Sequence, residues 1–133
     1  MTRRSQSFVR RSELIIVDAE VVGPADFMNA RLVLDTGAAA TTLVPGVIER
    51  IGYTGRDGYR KAKVHTAVGE EHGYWLHVAE FSVLGVTVPN FALAVFPLGH
   101  EGIDELLGMN FLRNFNFEVR PAERSVVAEL INS

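Results

Sequence analysis

"RLVLDTGAAATTLVP", residues 31–45, places one aspartate between an apolar run and three alanines. Asp35 directly follows the apolar residues, and Gly37 comes two positions later. On its own, Asp-Thr-Gly suits an ordinary turn in which Asp caps the backbone and Gly supplies a positive φ. A charge at the end of a buried strand needs a compensating partner, and no Lys or Arg lies between Leu32 and Pro45. The sequence therefore predicts that the partner of Asp35 comes from elsewhere.

The composition predicts one globular domain. The chain has 133 residues, 47% of them hydrophobic, which is enough for a core without metals or disulfides. The formal charge is −3, and the basic cluster of Arg3, Arg4, Arg10 and Arg11 lies in a polar N-terminal segment. We therefore expect no nucleic-acid partner, a flexible polar tail over residues 1–12 and a single domain over residues 13–133.

Residue types that the sequence lacks narrow the function classes. Cysteine is absent, which excludes disulfide scaffolds, thiol nucleophiles and cysteine-based zinc sites. The longest apolar stretches, such as Leu14–Val17, are too short for a membrane span or a secretory signal, so we expect a cytoplasmic protein without a membrane partner. The four histidines, His65, His72, His77 and His100, match no compact metal-binding spacing, and no metal is expected.

The hydrophobic pattern is mostly that of short strands. Turn residues separate the apolar runs Leu14–Val22, Ala30–Leu34 and Thr41–Val44, and a short helical turn is expected near Val47–Ile51. Two later strands, Tyr59–Ala67 and Tyr74–Leu84, flank "VGEEHG" (68–73), which suits the exposed tip of a hairpin. Only "GMNFLRNF" (108–115) has clear helical spacing. This pattern favours an all-β barrel or sandwich.

Two of these segments resemble those of a known family. "LVLDTGAAATTL" (32–43) resembles the active-site segment of the retropepsin-like aspartic proteases, and "GIDELLGMNFLRNF" (102–115) resembles their later apolar-apolar-glycine segment and helix. The "VGEEHG" hairpin lies where the family has its flap, and the resemblance extends over roughly residues 14–130. It is closer to the cellular and bacterial branch than to the viral one. It implies an all-β fold, a closed retropepsin-like β-barrel with a flap hairpin and one short C-terminal helix.

The resemblance also implies an activity, a partner and a catalytic motif. Aspartic proteases need two facing carboxylates, and this chain has one Asp-Thr-Gly, so the implied enzyme is a homodimer that pairs Asp35 with its copy and shares one proton. This dimer hydrolyses peptide bonds of a peptide or protein substrate with a bound water and uses no cofactor. Thr36 is implied to cross-bond to the partner chain, and Gly37 to let the backbone approach the substrate.

Further residues are implied to bind substrate: Ala38, Ala39, Val68, Gly69, Glu70 and Leu106. Relatives with Ser at the position of Ala38 add a hydroxyl donor to the carboxylate, and without it we expect activity at mildly acidic pH. Viral members carry an acidic residue and an arginine at the positions of Ala39 and Met109, and the apolar residues here put substrate-backbone binding in doubt. An acidic lid containing Glu70 is expected to favour cationic substrate positions.

Other interpretations stay open. The same dimer without turnover is a peptide- or protein-binding module, and the chain could also be a domain of a larger polyprotein or membrane protein. A serine-hydrolase interpretation lacks a paired histidine near the threonines of 41–42. Tyr74 and Trp75 are predicted to pack at the base of the hairpin. Leu14–Val22 and Ser125–Leu130 are predicted to offer edges for the dimer sheet.

Overall fold

A computed structural model of the chain describes residues 3–11, 14–66, 69–97 and 104–131. These residues form mostly β-structure, with two short α-helices, α1 (Pro45–Arg50) and α2 (Met109–Leu112), and 3-10 turns at Gly55–Asp57 and Pro121–Glu123. The strands, in chain order, are β1 (Arg3–Ser7), β2 (Val9–Arg11), β3 (Leu14–Val22), β4 (Phe27–Leu34), β5 (Thr42–Leu43), β6 (Arg60–Thr66), β7 (Gly69–Val83), β8 (Val86–Val95), β9 (Glu105–Leu107), β10 (Phe115–Arg120) and β11 (Ser125–Leu130).

The strands form two sheets. The smaller sheet has the order β1-β11-β10, and the larger one has the order β2-β3-β4-β9-β5-β8-β7-β6. β3 also pairs with β7 through three residue pairs, from Glu20↔Ser82 to Val22↔Glu80. The predicted all-β class is confirmed by the strand content, and the pairing of β3 with β7 brings distant strands of the larger sheet together. The closed barrel itself stays a prediction.

Alternation along the strands builds the core. In β3, Val17, Ala19 and Val21 are buried, whereas Asp18 and Glu20 are exposed, as expected for a strand with one face inside. Four phenylalanines from different elements then meet in the centre of this core. The ring of Phe111 lies 5.5 Å from Phe81, 5.7 Å from Phe91 and 5.3 Å from Phe115, so α2 is fixed to the sheets by a buried aromatic cluster.

The helix predicted over residues 108–115 is shorter in the structure. It ends at Leu112, and Phe115 begins β10. The backbone N–H and the side-chain amide of Asn114 both donate to the carbonyl oxygen of Phe111, at 3.2 and 3.1 Å. These bonds satisfy a carbonyl at the helix end and turn the chain into the next strand.

The hairpin of β6 and β7 differs from its prediction in where it turns. The two strands pair from Arg60↔Trp75 to Thr66↔Gly69, so residues 69–73, predicted as the tip, belong to β7. Residues 67 and 68, which connect the two strands in the chain, lie outside the described residues. Gly73 was interpreted as a turn residue, but it is needed for packing. A Cβ at this position would overlap the carbonyl oxygen of Val95 and the ring of Phe96.

The prediction of a flexible tail over residues 1–12 is wrong for residues 3–11. β1 pairs with β11, β2 pairs with β3, and Phe8 is a buried core residue. The side chain of Gln6 accepts the N–H of Leu84 at 2.7 Å and donates to the carbonyl oxygen of Asp18 at 2.8 Å. These bonds explain why a polar segment is ordered: its polar groups are paired with the backbone of the domain.

The predicted dimer edges are also wrong. β3 lies between β2 and β4, and β11 lies between β1 and β10. Both are therefore inner strands. β11 pairs on both sides, β3 pairs with β4 on one side and with β2 and β7 near its two ends on the other, and the outer strands of the smaller sheet are β1 and β10.

Candidate active site

Asp35 lies directly after β4, where β4 runs parallel to β9. Its backbone N–H donates to the carbonyl oxygen of Leu107 at 3.0 Å, which continues the pairing of Leu34 with Leu107. The carboxylate Oδ1 accepts the N–H of Gly37 at 2.9 Å. Asp35 is only partly buried, so water and one backbone amide stabilise its charge within this chain. Within the described residues, the carboxylate of Asp35 is thus bonded to a main-chain N–H and forms no salt bridge with a basic side chain.

The loop after Asp35 is held by the start of α2. The N–H groups of Met109 and Asn110 donate to the carbonyl oxygens of Ala38 and Ala39, at 2.7 and 3.0 Å. Gly108 permits this close approach, because a Cβ there would overlap the carbonyl group of Ala40. Both sequence motifs thus form one unit, in which the later segment fixes the backbone that carries the carboxylate.

A buried polar cluster stabilises the same unit. Thr41, which is fully buried, donates from both its N–H and its hydroxyl to Oδ1 of Asn110, each at 2.8 Å. The hydroxyl oxygen accepts the N–H of Gly108 at 3.1 Å, and Nδ2 of Asn110 donates to the carbonyl oxygen of Ala92 at 2.8 Å. Because a carboxylate cannot donate this last bond, Asn110 is matched to its site as an amide.

A cavity of about 560 Å³ opens beside this unit. Four of the residues expected in the site line it, namely Gly37, Ala38, Ala39 and Leu106. The other lining residues come from the same loop, from β5, from the β6–β7 hairpin and from the end of β8: Ala40, Thr42, Arg60, Lys61, Ala62, Lys63, Val64, Trp75, Ala94 and Phe96. The cationic residues of β6 could not be assigned to a cavity from the sequence, because nothing local in a strand shows which cavity it borders.

One row of paired residues crosses the sheet beneath the cavity. Arg60 pairs with Trp75, Trp75 with Ala94, Ala94 with Thr42, and Thr42 with Leu106. Residues paired in this way share a face of the sheet. Trp75 therefore faces the cavity, whereas its neighbour Tyr74 packs against the core; the prediction of packing at the hairpin base holds for Tyr74 alone.

The predicted residues of the hairpin are not found at the cavity where the structure describes them. Val68 is outside the described residues. Gly69 and Glu70 are near the turn of the hairpin and are not among the described residues that line the cavity. Carboxylate oxygens of Glu70 lie 3.7 Å from Nζ of Lys63, 3.9 Å from Nδ1 of His65 and 3.2 Å from Nε2 of His72. The carboxylate of Glu70, which was expected to make the lid acidic, thus has three basic side chains beside it.

Other carboxylates near these motifs have structural roles. Oδ2 of Asp104 accepts the N–H of Arg31 at 2.8 Å, and Oδ2 of Asp57 accepts the N–H of Thr54 at 2.7 Å in a capping box. Thr36 is exposed, and its predicted cross-bond involves a second chain. Within residues 3–11, 14–66, 69–97 and 104–131, no three His, Asp or Glu side chains converge as metal ligands would. None of the helices in the described ranges has the length and apolar character of a membrane span.

The architecture is that of a retropepsin-like protein: a β-rich fold in which an Asp-Thr-Gly loop at a strand end is held by a later glycine and helix. The family model of the gag-polyprotein putative aspartyl proteases matches residues 26–114, more than half of the 133 residues. The chain belongs to this family.

Solved structures with low sequence identity share the fold. A retropepsin-like aspartic protease from Rickettsia conorii superposes with a TM-score of 0.71 at 20% identity, over 96% of this chain and 98% of that one. The EIAV protease in complex with an inhibitor gives 0.60 at 18%, over 79% and 90%. The retroviral protease-like domain of Ddi1 from Leishmania major gives 0.60 at 16%, over 90% and 94%. A search of curated protein sequences gives no match.

Proposed function

We propose that the protein is a homodimeric aspartic endopeptidase that activates a water molecule between two Asp35 carboxyls, one from each chain. The observation that carries this proposal is the position of Asp35: partly exposed, bonded to the N–H of Gly37 at 2.9 Å, and next to a loop that lines a cavity of about 560 Å³. A cavity of this size suits the side chains of a bound peptide. Membership of a putative aspartyl protease family supports the same reaction.

The need for a second chain follows from the number of carboxylates. The chain has one Asp-Thr-Gly, at residues 35–37, so each copy supplies one carboxylate of the motif. Two copies related by a two-fold axis would bring the Asp35 side chains together, where they cannot both ionise and share one proton. The shared proton is the compensating partner that the sequence calls for.

The reaction then uses each carboxyl in a separate role. The ionised Asp35 takes a proton from the bound water, whose oxygen attacks the carbonyl carbon of the peptide. The protonated Asp35 donates its proton toward the carbonyl oxygen. The first Asp35 then gives the water-derived proton to the amide nitrogen, and the second takes a proton back from a hydroxyl of the tetrahedral species as the carbonyl reforms. The C–N bond breaks, and the amine leaves. The pair of Asp35 side chains ends with one proton, as it began.

The surrounding residues position the substrate. Gly37, Ala38, Ala39 and Leu106 line the cavity and would contact an extended peptide, and Thr36 would bond to the backbone of the partner chain near the two carboxyls. The β6–β7 hairpin would act as a flap, closing on the peptide and excluding water, with Val68, Gly69 and Glu70 at its end. We further propose that the larger sheet, through the β3–β7 pairs, is a closed barrel, and that the enzyme acts in the cytoplasm.

The decisive experiment compares wild type with Asp35→Asn on an unfolded protein substrate between about pH 4 and pH 7. The variant retains the shape of the side chain and should lose all cleavage. Asp18→Asn, at an exposed ion pair with Arg31, makes the same chemical change elsewhere and should retain activity. Equal cleavage by wild type and Asp35→Asn would overturn the proposal, and peptide binding without cleavage by wild type would favour the binding module.

Mixing the two chains tests the shared site. With equal amounts of wild-type and Asp35→Asn chains, random pairing should lower the activity to about half of that of the wild-type chains alone, because mixed dimers hold one carboxyl. Activity unchanged by the added variant would show that each chain works alone. Sedimentation at micromolar concentration should give a dimer.

A further inference from the structure

The wall of the cavity opposite Leu106 is cationic. Arg60, Lys61 and Lys63 line it, and the described residues around the cavity include no Asp or Glu. The whole chain, by contrast, has a formal charge of −3. Of these three, Arg60 shares a face of the sheet with Trp75, so it brings a positive charge to the cavity of a chain whose net charge is negative, and such a charge attracts anionic groups.

The three cations differ in how much of their charge is compensated. Nζ of Lys63 lies 3.7 Å from Oε2 of Glu70, so part of its charge is balanced. Arg60 and Lys61 form no salt bridge with any residue in the described part of the chain. Both are exposed, but they lie on opposite faces of β6: Arg60 pairs with Trp75 and Lys61 with Tyr74. Arg60 is therefore the cation that a carboxylate in the cavity would meet.

Arg60 is the best placed of the three. Its guanidinium carbon lies 5.4 Å from the centre of the Trp75 ring, a cation–π contact that holds the planar group over the aromatic face. Arg60 pairs with Trp75 and begins the row that runs through Ala94 and Thr42 to Leu106. The guanidinium of Arg60 is thus positioned at one end of an otherwise apolar surface. Its planar set of N–H donors can bind a carboxylate through two parallel hydrogen bonds.

We propose that this end of the cavity is an anion-selective subsite, in which Arg60 binds an Asp or Glu side chain of the substrate peptide. This inference rests on the proposed function, since it names the substrate class of the same cavity. It reverses the preference for cationic residues that an acidic lid would give, because the carboxylate of Glu70 is already surrounded by Lys63, His65 and His72.

The test uses peptides that differ only by Glu, Gln or Lys at each position flanking the cleaved bond, at about pH 6, where a substrate Glu is ionised. At one position the wild-type enzyme should cleave the Glu peptide with a kcat/KM roughly three- to tenfold above that of the Gln peptide. The ratio should fall toward one as salt is raised, because the pair is exposed to solvent.

Variants of Arg60 assign the preference. Arg60→Gln should bring the Glu-to-Gln ratio to about one, Arg60→Glu should favour the Lys peptide, and Arg60→Lys should retain part of the preference for Glu. As a control, Arg120→Gln removes an arginine of β10 that forms salt bridges with Glu118 and Glu123. This variant should have the same Glu-to-Gln ratio as wild type. If Arg60→Gln retains the wild-type ratio, or if wild type shows none, the inference is wrong.

A binding measurement separates this inference from the proposed reaction. Trp75 is the single tryptophan of the chain and lines the cavity, so its fluorescence should report peptide binding directly. Titrations of Asp35→Asn protein should give tighter binding of the Glu peptide than of the Gln peptide, and Arg60→Gln in the same background should abolish the difference. Selective binding without cleavage by wild type would overturn the endopeptidase and retain the subsite. Equal binding would overturn the subsite even if Asp35-dependent cleavage is found.

Discussion

Thr41 donates two hydrogen bonds to the same oxygen atom of Asn110, one from its backbone and one from its hydroxyl, each 2.8 Å long. The amide of Asn110 in turn donates to the carbonyl oxygen of Ala92 on β8. One side chain at the start of α2 thereby connects the loop after Asp35 to the larger sheet. The carboxylate is positioned by a network that includes no other charged group.

Removing this side chain should destabilise the whole fold. In Asn110→Ala the two buried donors of Thr41 and the carbonyl oxygen of Ala92 lose their partner, and the free energy of unfolding should fall by about 2–4 kcal/mol. Asn110→Asp retains the acceptor for Thr41 but places a carboxylate oxygen against the carbonyl oxygen of Ala92, so it should also lower the free energy of unfolding. Urea unfolding measures both, with exposed Asn116→Ala as the control; an Asn110→Ala protein as stable as wild type would contradict the assigned network.

Gly108 should be equally intolerant of a side chain. A Cβ at this position would overlap the carbonyl group of Ala40, and relief would separate α2 from the loop that follows Asp35, at about 1–3 kcal/mol of stability. At Gly46 in α1, by contrast, an added Cβ would meet no atom within 4 Å, so Gly46→Ala should be neutral or stabilising. Thermal melts of the two variants make the comparison, and equal melting temperatures would refute the steric argument.

The contact between the Asp-Thr-Gly loop and the later glycine segment joins two motifs that the sequence shows, whereas the ends of several strands differ from their predictions. Asp35, Gly37 and Gly108 could be recognised because the chemistry and close packing leave few alternatives at those positions. The ordered structure of residues 3–11 could not be recognised, because Gln6 is held by hydrogen bonds to Asp18 and Leu84, which are distant in the sequence. The hairpin turn was misplaced for a similar reason, since Gly73 serves a contact with β8 and not a turn.

The position of Arg60 at the cavity also could not be predicted from the sequence. Alternation along β6 identifies the two faces of the strand, but only the pairing of Arg60 with Trp75 and of Trp75 with Ala94 shows that Arg60 reaches the cavity beside the Asp35 loop. Long-range strand register decides which charges a substrate meets, and that register is a property of the assembled sheet.

A serine in place of Ala38 should shift the pH dependence of cleavage. Ala38 follows Gly37 and donates its N–H to the carbonyl oxygen of Asp35 at 3.2 Å, so a hydroxyl here would lie near the carboxylates. A donor stabilises the ionised carboxylate, and the acid limb of kcat/KM should therefore move to lower pH in Ala38→Ser. Ala39→Ser places the same group one residue further along and should leave the profile unchanged. An acid limb that stays in place, or moves to higher pH, would contradict the prediction.

Stability at alkaline pH should depend on Tyr74. Burial raises the pKa of its phenol above the usual value, and the charges of Glu49 and Asp57 raise it further. The unfolded chain loses this proton near about pH 10, whereas the folded chain retains it to higher pH. The contribution is therefore fully present below the unfolded pKa and is lost as pH rises toward the folded one. Tyr74→Phe should flatten the decline of urea midpoints above about pH 10. If Tyr74→Phe and wild type decline in parallel, proton binding at Tyr74 is not linked to folding.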